Sequence, residues 1–106
     1  MIGVDLGGTT VTVGRVHDGV VEEVVTRNVP ADQTQDIVLG VITDAIAGVM
    51  SSETAAIGFG APSVVDVTEG IVREVGNIPS WKAVPLKTAL ESRFGLPAVI
   101  DNDANV

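Results

Sequence analysis

Two short stretches of this sequence carry residue types able to do phosphate and proton chemistry. The first is DLGGTT, residues 5 to 10. Asp5 ends an apolar run, Gly7 and Gly8 follow, and Thr9 and Thr10 close the stretch. Without a Cβ, glycines let successive backbone N–H groups turn toward one point, which is how a chain cradles an anion. The two hydroxyls add donors, and Asp5 is able to hold Mg²⁺ through water. The competing explanation is a plain Gly-Gly hairpin turn with a solvated Asp5. The second stretch is Asp101-Asn102-Asp103. In an extended chain, residues two apart face the same way, so both carboxylates project together and the amide lies opposite. Continued as a loop, the stretch could offer one carboxylate as a general base and the amide as a hydroxyl binder. An Asx-rich turn or helix cap is the alternative.

Three other features carry less. GFGAPS superficially resembles a dinucleotide fingerprint through Gly58 and Gly60, but that pattern needs a helix to open there. Pro62 and the β-branched residues after it oppose one, which leaves a glycine-permissive bend where a backbone or ligand comes close. His17 precedes Asp18-Gly19 and reads as a solvated turn residue. Trp81, in an irregular segment, reads as an anchor packing a loop down, with a sugar-pocket wall as the alternative.

The elements that must position these residues follow from periodicity. MIGVDL alternates Ile2, Val4 and Leu6 against Gly3 and Asp5, a strand pattern. TVTVGRV repeats it, Asp18-Gly19 is a hairpin turn signal, and VVEEVVTRNV is a third strand ended by Pro30. These three form an antiparallel meander. Ile37, Val38, Val41, Ile42, Ala45, Ile46 and Val49 then share a helical face, capped by Asp32 or Thr34. Gly40 and Gly48 each weaken that helix by about 1 kcal/mol relative to Ala. AAIGFG is a short strand, VVDVTEGIVREV a small hairpin turning at Glu69-Gly70, and NIPSWKAV irregular. PLKTALESRFG is a second helix, with Pro85 near its first position, Leu86, Leu90 and Phe94 on one face, and Gly95 as its stop. PAVID is the last strand.

The order β-β-β-α-β-(ββ)-α-β predicts an α/β domain with a mixed sheet and flanking helices. Ligands of such sheets gather at the carboxyl ends of strands. Asp5 to Gly8, Gly60-Ala61-Pro62 and Asp101 to Asp103 all fall at such ends. If their strands are parallel neighbours, the three share one rim.

A chain of 106 residues is one domain. Hydrophobic residues make up 45%, but Phe59, Trp81 and Phe94 are the only aromatics, so the core must be aliphatic. Fourteen acidic against six basic residues give a net charge of −8, which argues against nucleic acid or an anionic membrane as partner. Phosphate ligands stay open, because backbone N–H groups and Mg²⁺ bind them without a basic patch. With no cysteine there is neither disulfide nor thiolate chemistry. Met1 leads into IGVDLG without a basic segment, so no signal peptide is expected. IVLGVITDAIAGVM, broken by Thr43 and Asp44, is too short to span a bilayer. A cytoplasmic soluble domain is the expectation.

Taken in order and spacing, GVDLGGTTVTVGRV, IGFGAPSVVD, EGIV and NIPSW…VPL…LESRFGLPAVIDNDAN resemble the amino-terminal half of ROK-family sugar kinases, a group that includes bacterial glucokinases. The resemblance covers essentially the whole chain. It implies an RNase H-like (actin-like ATPase) domain with a five-stranded mixed sheet, three strands antiparallel and the rest parallel, binding ATP, Mg²⁺ and a hexose or amino sugar. Asp5, Gly7, Gly8, Thr9 and Thr10 match the family's phosphate hairpin, with Asp5 on Mg²⁺ through water. Asp103 matches the catalytic base and Asn102 a sugar-hydroxyl ligand, while Ser63 and Gly76 fall near sugar-contact positions. The resemblance also implies a second domain, not contained in residues 1–106, carrying the adenosine pocket, further sugar ligands and a zinc motif. On this reading the chain is an isolated amino-terminal domain, inactive by itself, of a kinase that is a candidate homo-oligomer. The alternative is a non-catalytic ROK sugar sensor. The chain starts at its first strand without a helix-turn-helix, which favours the kinase.

Overall fold

Three valine-rich runs pair as an antiparallel meander: β1 (Ile2–Gly7), β2 (Thr10–His17) and β3 (Val20–Asn28). The structure, a computed structural model, describes residues 1–7, 10–30, 32–60, 64–66, 70–75 and 78–101; for 64–66, 73–75, 78–83 and 101 it describes the backbone alone. Asp18 and Gly19 join β2 to β3 with φ of 52° and 77°, the left-handed pair that a two-residue hairpin needs. His17 is exposed at this turn, as its position in the sequence predicts.

The β2–β3 register steps from Arg15↔Glu23 to Val16↔Val21. Glu22 is therefore an extra residue, a β-bulge. Both glutamates come to Arg15, at 3.2 Å for Glu22 Oε1 and 3.5 Å for Glu23 Oε2.

The next helix, α1 (Gln35–Val49), starts at Thr34, whose Oγ1 accepts from the Ile37 N–H at 3.4 Å. Thr34, rather than Asp32, is the cap. The apolar face is rotated from the one periodicity suggests. Val38, Ile42, Ala45, Ile46 and Val49 are buried, but Ile37 in the first turn is 48% exposed and Val41 half-buried, while Thr43 is buried. Thr43 is accommodated because its hydroxyl donates to the Gly40 carbonyl at 3.1 Å and accepts from Arg93 Nη1 at 2.7 Å. No basic residue of α1 stands in its last turn. Arg15 of β2 serves instead, donating from Nη1 to the Val49 carbonyl at 2.6 Å. One guanidinium thus ties the bulge, β2 and the end of α1 together. A hydrogen bond from a charged group to a part-buried carbonyl contributes about 1.5–3 kcal/mol. Arg15→Met is expected to lower stability by that order, read from the urea midpoint. An unchanged midpoint would remove the guanidinium from this role.

α1 leads to β4 (Ile57–Gly60), which pairs parallel with β1; β8 (Ala98–Asp101) pairs parallel with β4. The sheet order is β3-β2-β1-β4-β8, so the five-stranded mixed sheet is as predicted. Before β8 comes α2 (Leu86–Phe94), with Leu86 and Leu90 buried and Phe94 packed at the core margin. Pro85 is its N-cap, next to the first helical residue, as expected. Gly95 ends it in the left-handed region at φ 67°, its N–H donating to the Glu91 carbonyl. Both crossovers run the same way along the sheet, so right-handed connection puts both helices on one face. Arg93 of α2 accordingly reaches Thr43 and Asp44 of α1. Ile2, Val4, Leu6, Val11 and Val13 of the meander and Phe59 and Ile100 of the parallel strands form the core beneath them.

Between β4 and α2 lies the main departure from expectation. Rather than a two-stranded hairpin followed by an irregular segment, β5 (Val64–Asp66), β6 (Ile71–Val75) and β7 (Ile78–Val84) form a three-stranded antiparallel sheet in the order β5-β6-β7. NIPSWKAV is mostly strand. Pro79 makes it read as irregular, but β7 is an edge strand with a single neighbour, a place where proline is tolerated. The register also jumps there, from Glu74↔Lys82 to Val75↔Ile78, so Pro79 falls within the irregularity. Gly70, in the turn before β6, has φ 67°, and a Cβ there would run into Cβ of Lys87. Its carbonyl accepts from the Lys87 N–H at 3.0 Å, docking the small sheet onto α2. The Trp81 side chain lies outside the described residues.

Candidate functional site

Parallel pairing brings three strand ends to one level. Asp5 of β1 pairs with Gly60 of β4, and Gly60 with Asp101 of β8. The predicted shared rim is therefore present at the described residues Asp5, Gly60 and Asp101. β1 alternates buried Val4 and Leu6 with exposed Asp5, so Asp5 is on the sheet face away from the helices. Gly60 beside it has no side chain to crowd the carboxylate. An exposed Asp5 next to a glycine fits a hydrated cation. Among the described residues there is no cluster of three metal-ligating side chains.

Within the stretch from Asp5 to Thr10, the described residues of β1 and β2 pair antiparallel. Gly7 pairs with Thr10, and Thr10 Oγ1 donates to the Gly7 carbonyl at 3.4 Å. Gly8 and Thr9, which connect the two, lie outside the described residues. So do Ser63, Gly76, Asn102 and Asp103. The structure thus brings Asp5, Gly7 and Thr10 together with the ends of β4 and β8, from which residues 61–63 and 102–103 continue.

Sequence reasoning overlooked one neighbour of this site. Thr12 pairs with Asp5 across β1 and β2, and its hydroxyl lies 3.3 Å from that of Thr26 on β3. Asp5, Thr12 and Thr26 make a polar row on the open face of the sheet. The signal was available: Thr12 alternates with Val11 and Val13, so it had to face away from the core. Among the described residues no helix is long and apolar enough to cross a membrane.

Known proteins share this fold. The chain is 41% identical over 107 residues to a glucokinase of Thermotoga maritima, covering 99% of the chain and 34% of that protein. It is 36% identical to an N-acetyl-D-glucosamine kinase of Vibrio vulnificus, over 97% of the chain and 34% of the relative. The crystal structure of a ROK family glucokinase from Streptomyces griseus in complex with glucose and AMPPNP superposes with a TM-score of 0.85 at 36% identity, covering 98% of this chain and 33% of that one. A ROK family transcriptional regulator shares the fold at 21% identity and a TM-score of 0.79. The chain spans about a third of the length of these kinases. The mixed sheet with flanking helices is the actin-like ATPase fold of these neighbours. The profile of the ROK family matches residues 1–106, and the chain belongs to that family.

Proposed function

We propose that residues 1–106 are the amino-terminal, sugar- and phosphate-binding domain of a two-domain, ATP-dependent hexose kinase of the glucokinase type, acting in the cytoplasm. The observation that carries this reading is the in-register alignment of Asp5, Gly60 and Asp101 at one rim. It draws support from the kinase relatives and from the glucose and AMPPNP held by the Streptomyces griseus enzyme. In this reading the hairpin from Gly7 to Thr10 turns backbone N–H groups and hydroxyls toward the phosphates of ATP. Asn102 binds a sugar hydroxyl, with Ser63 and Gly76 as further sugar contacts. Asp103, two residues beyond Asp101, takes the proton of the attacking hydroxyl as that oxygen bonds to the γ-phosphorus and the bond from that phosphorus to the β,γ-bridging oxygen breaks, releasing ADP. Mg²⁺, held through water by Asp5, would neutralise phosphate charge when bound. Zinc, where a parent protein uses it, belongs to the second domain.

The fold shared with a transcriptional regulator favours one second reading, a sugar sensor without catalysis. A coupled ADP-release assay decides between them. It is run on the protein expressed from its complete reading frame, with glucose, mannose, N-acetylglucosamine or N-acetylmannosamine. Sugar-dependent ADP release is the expected result. Sugar binding without any ADP release would establish the sensor instead.

In the same assay Gly8→Val is expected to raise the KM for ATP far more than that for sugar. A β-branched side chain both blocks close approach of a phosphate and disfavours positive φ. Equal effects on both substrates, with altered circular dichroism, would point to misfolding and withdraw the phosphate role of Gly8.

A further inference from the structure

β3 ends the order of the five-stranded sheet, so its outer edge has no strand beside it among the described residues. A long unpaired edge offers a row of backbone N–H and C=O groups to another strand, and proteins ordinarily blunt such edges with bulges, prolines or charges. On β3 the bulge and the proline stand only at the ends. Glu22 breaks the ladder on one side, and Pro30 follows on the other. Between them, residues 23–28 pair regularly with β2, and Val24 is 55% exposed. The charges of this stretch are Glu23 and Arg27. The register puts both on one face, since Glu23 lies opposite Arg15, Val25 opposite Val13 and Arg27 opposite Val11. Glu23 reaches Arg15 at 3.5 Å, but the closer partner of Arg15 is Glu22, at 3.2 Å. Among the described residues Arg27 has no ion pair.

We propose that β3 pairs antiparallel with β3 of a second copy about a two-fold axis through Val25, joining two five-stranded sheets into one. The charge pattern selects both the occupant and the register. Facing residues of an antiparallel pair turn their backbone groups either both toward each other or both away, so a two-fold pairing is centred on a residue and not between two. Centred on Glu23 or on Arg27, the pairing sets like charges against each other. Centred on Val24 or on Thr26, it sets Glu23 or Arg27 against Val25. Centred on Val25, it places Glu23 opposite Arg27 of the second copy, and by symmetry Arg27 opposite Glu23 of that copy. Val24 then faces Thr26 on the other side of the sheet. The ladder runs over residues 23–27 and stops at the Glu22 bulge, where regular pairing ends on the β2 side as well. The net charge of −8 repels a second copy at long range, but salt screens that repulsion beyond about 8–10 Å, whereas the facing pairs are in contact.

The test uses the protein expressed from its complete reading frame, in about 0.15 M salt. Val25→Cys brings two thiols face to face across the axis, with Cα atoms about 4.5–5.5 Å apart, inside the range a disulfide spans. Oxidation is expected to give a covalent pair, and mass spectrometry to place the bond between the two introduced thiols. Sedimentation equilibrium reads the same interface without a new bond. Arg27→Glu sets like charges opposite each other, as does Glu23→Arg, and each is expected to weaken association of the copies at least about tenfold. The two substitutions together restore opposite charges and should return the affinity to within about threefold of wild type. Circular dichroism of each variant separates a lost interface from a lost fold. A wild-type protein that stays monomeric at about 0.1 mM, an assembly indifferent to Arg27→Glu, or a charge swap that restores nothing would each overturn the proposal. So would a variant that associates but forms no disulfide at position 25, because the axis would then lie elsewhere. Association is read without any kinase assay, so its absence leaves the proposed activity untouched.

Discussion

Asp103→Asn, in the protein expressed from its complete reading frame, is expected to lower kcat by about 10²–10⁴-fold, the usual contribution of a positioned general base. The amide keeps the size of the carboxyl group and can still hydrogen-bond the sugar hydroxyl. It has no lone pair basic enough to take that hydroxyl's proton as the oxygen attacks. Sugar affinity should therefore change little, so the loss falls on kcat rather than on KM. Steady-state kinetics with glucose, together with calorimetric titration of glucose, separate the two effects. A variant that keeps more than about a tenth of wild-type kcat removes Asp103 from the base role. A variant that loses sugar affinity in proportion to its rate assigns the residue to binding. Asn102→Ala offers the complementary pattern, weaker sugar binding with a smaller effect on the chemical step.

Residues 1–106 alone are expected to phosphorylate no sugar at a measurable rate, although the β1–β2 pair and Asp103, the proposed base, are both among them. Phosphoryl transfer is mostly positioning and charge stabilisation. With one wall of a cleft, ATP would be held by its phosphates only and the sugar by part of its ligands. Losing about 4 kcal/mol of orientation on each substrate costs roughly 10³-fold per substrate. Open water would further screen charge interactions that a closed site strengthens. Weak ligand binding, about millimolar or poorer, is the most such a fragment should show. The measurement is coupled ADP release by the purified fragment with glucose, mannose and N-acetylmannosamine at high concentration, with Asp103→Asn as the blank. Sugar-dependent turnover that disappears in the blank would sink the expectation and make the proposed second domain dispensable.

Much of this was legible in the residues themselves. The alternation of Ile2, Val4 and Leu6 with Gly3 and Asp5 determined a strand and which side of it Asp5 occupies, because strand period is fixed by backbone geometry. Asp18-Gly19 determined a hairpin, since few residue pairs accept positive φ twice. Gly95 determined a helix end for the same reason. The ordered motifs were sufficient to indicate the family, which the family match over residues 1–106 bears out. Local signals failed where a neighbour overrode them. Pro79 argued against a strand, yet β7 sits at a sheet edge and Pro79 falls where its pairing with β6 is irregular. Thr43 interrupts an apolar helix face, yet it is buried because Arg93, fifty residues away, satisfies its hydroxyl. Arg15 gave no sign that it closes the end of α1, since the contact joins residues 34 apart. The sequence by itself thus determined the elements and the chemical types at their ends. Only the tertiary structure decided that β1, β4 and β8 are parallel neighbours in register, bringing Asp5, Gly60 and Asp101 to one rim. Strand pairing is a contact between distant segments, selected by burial of the whole aliphatic face, and no local period encodes it.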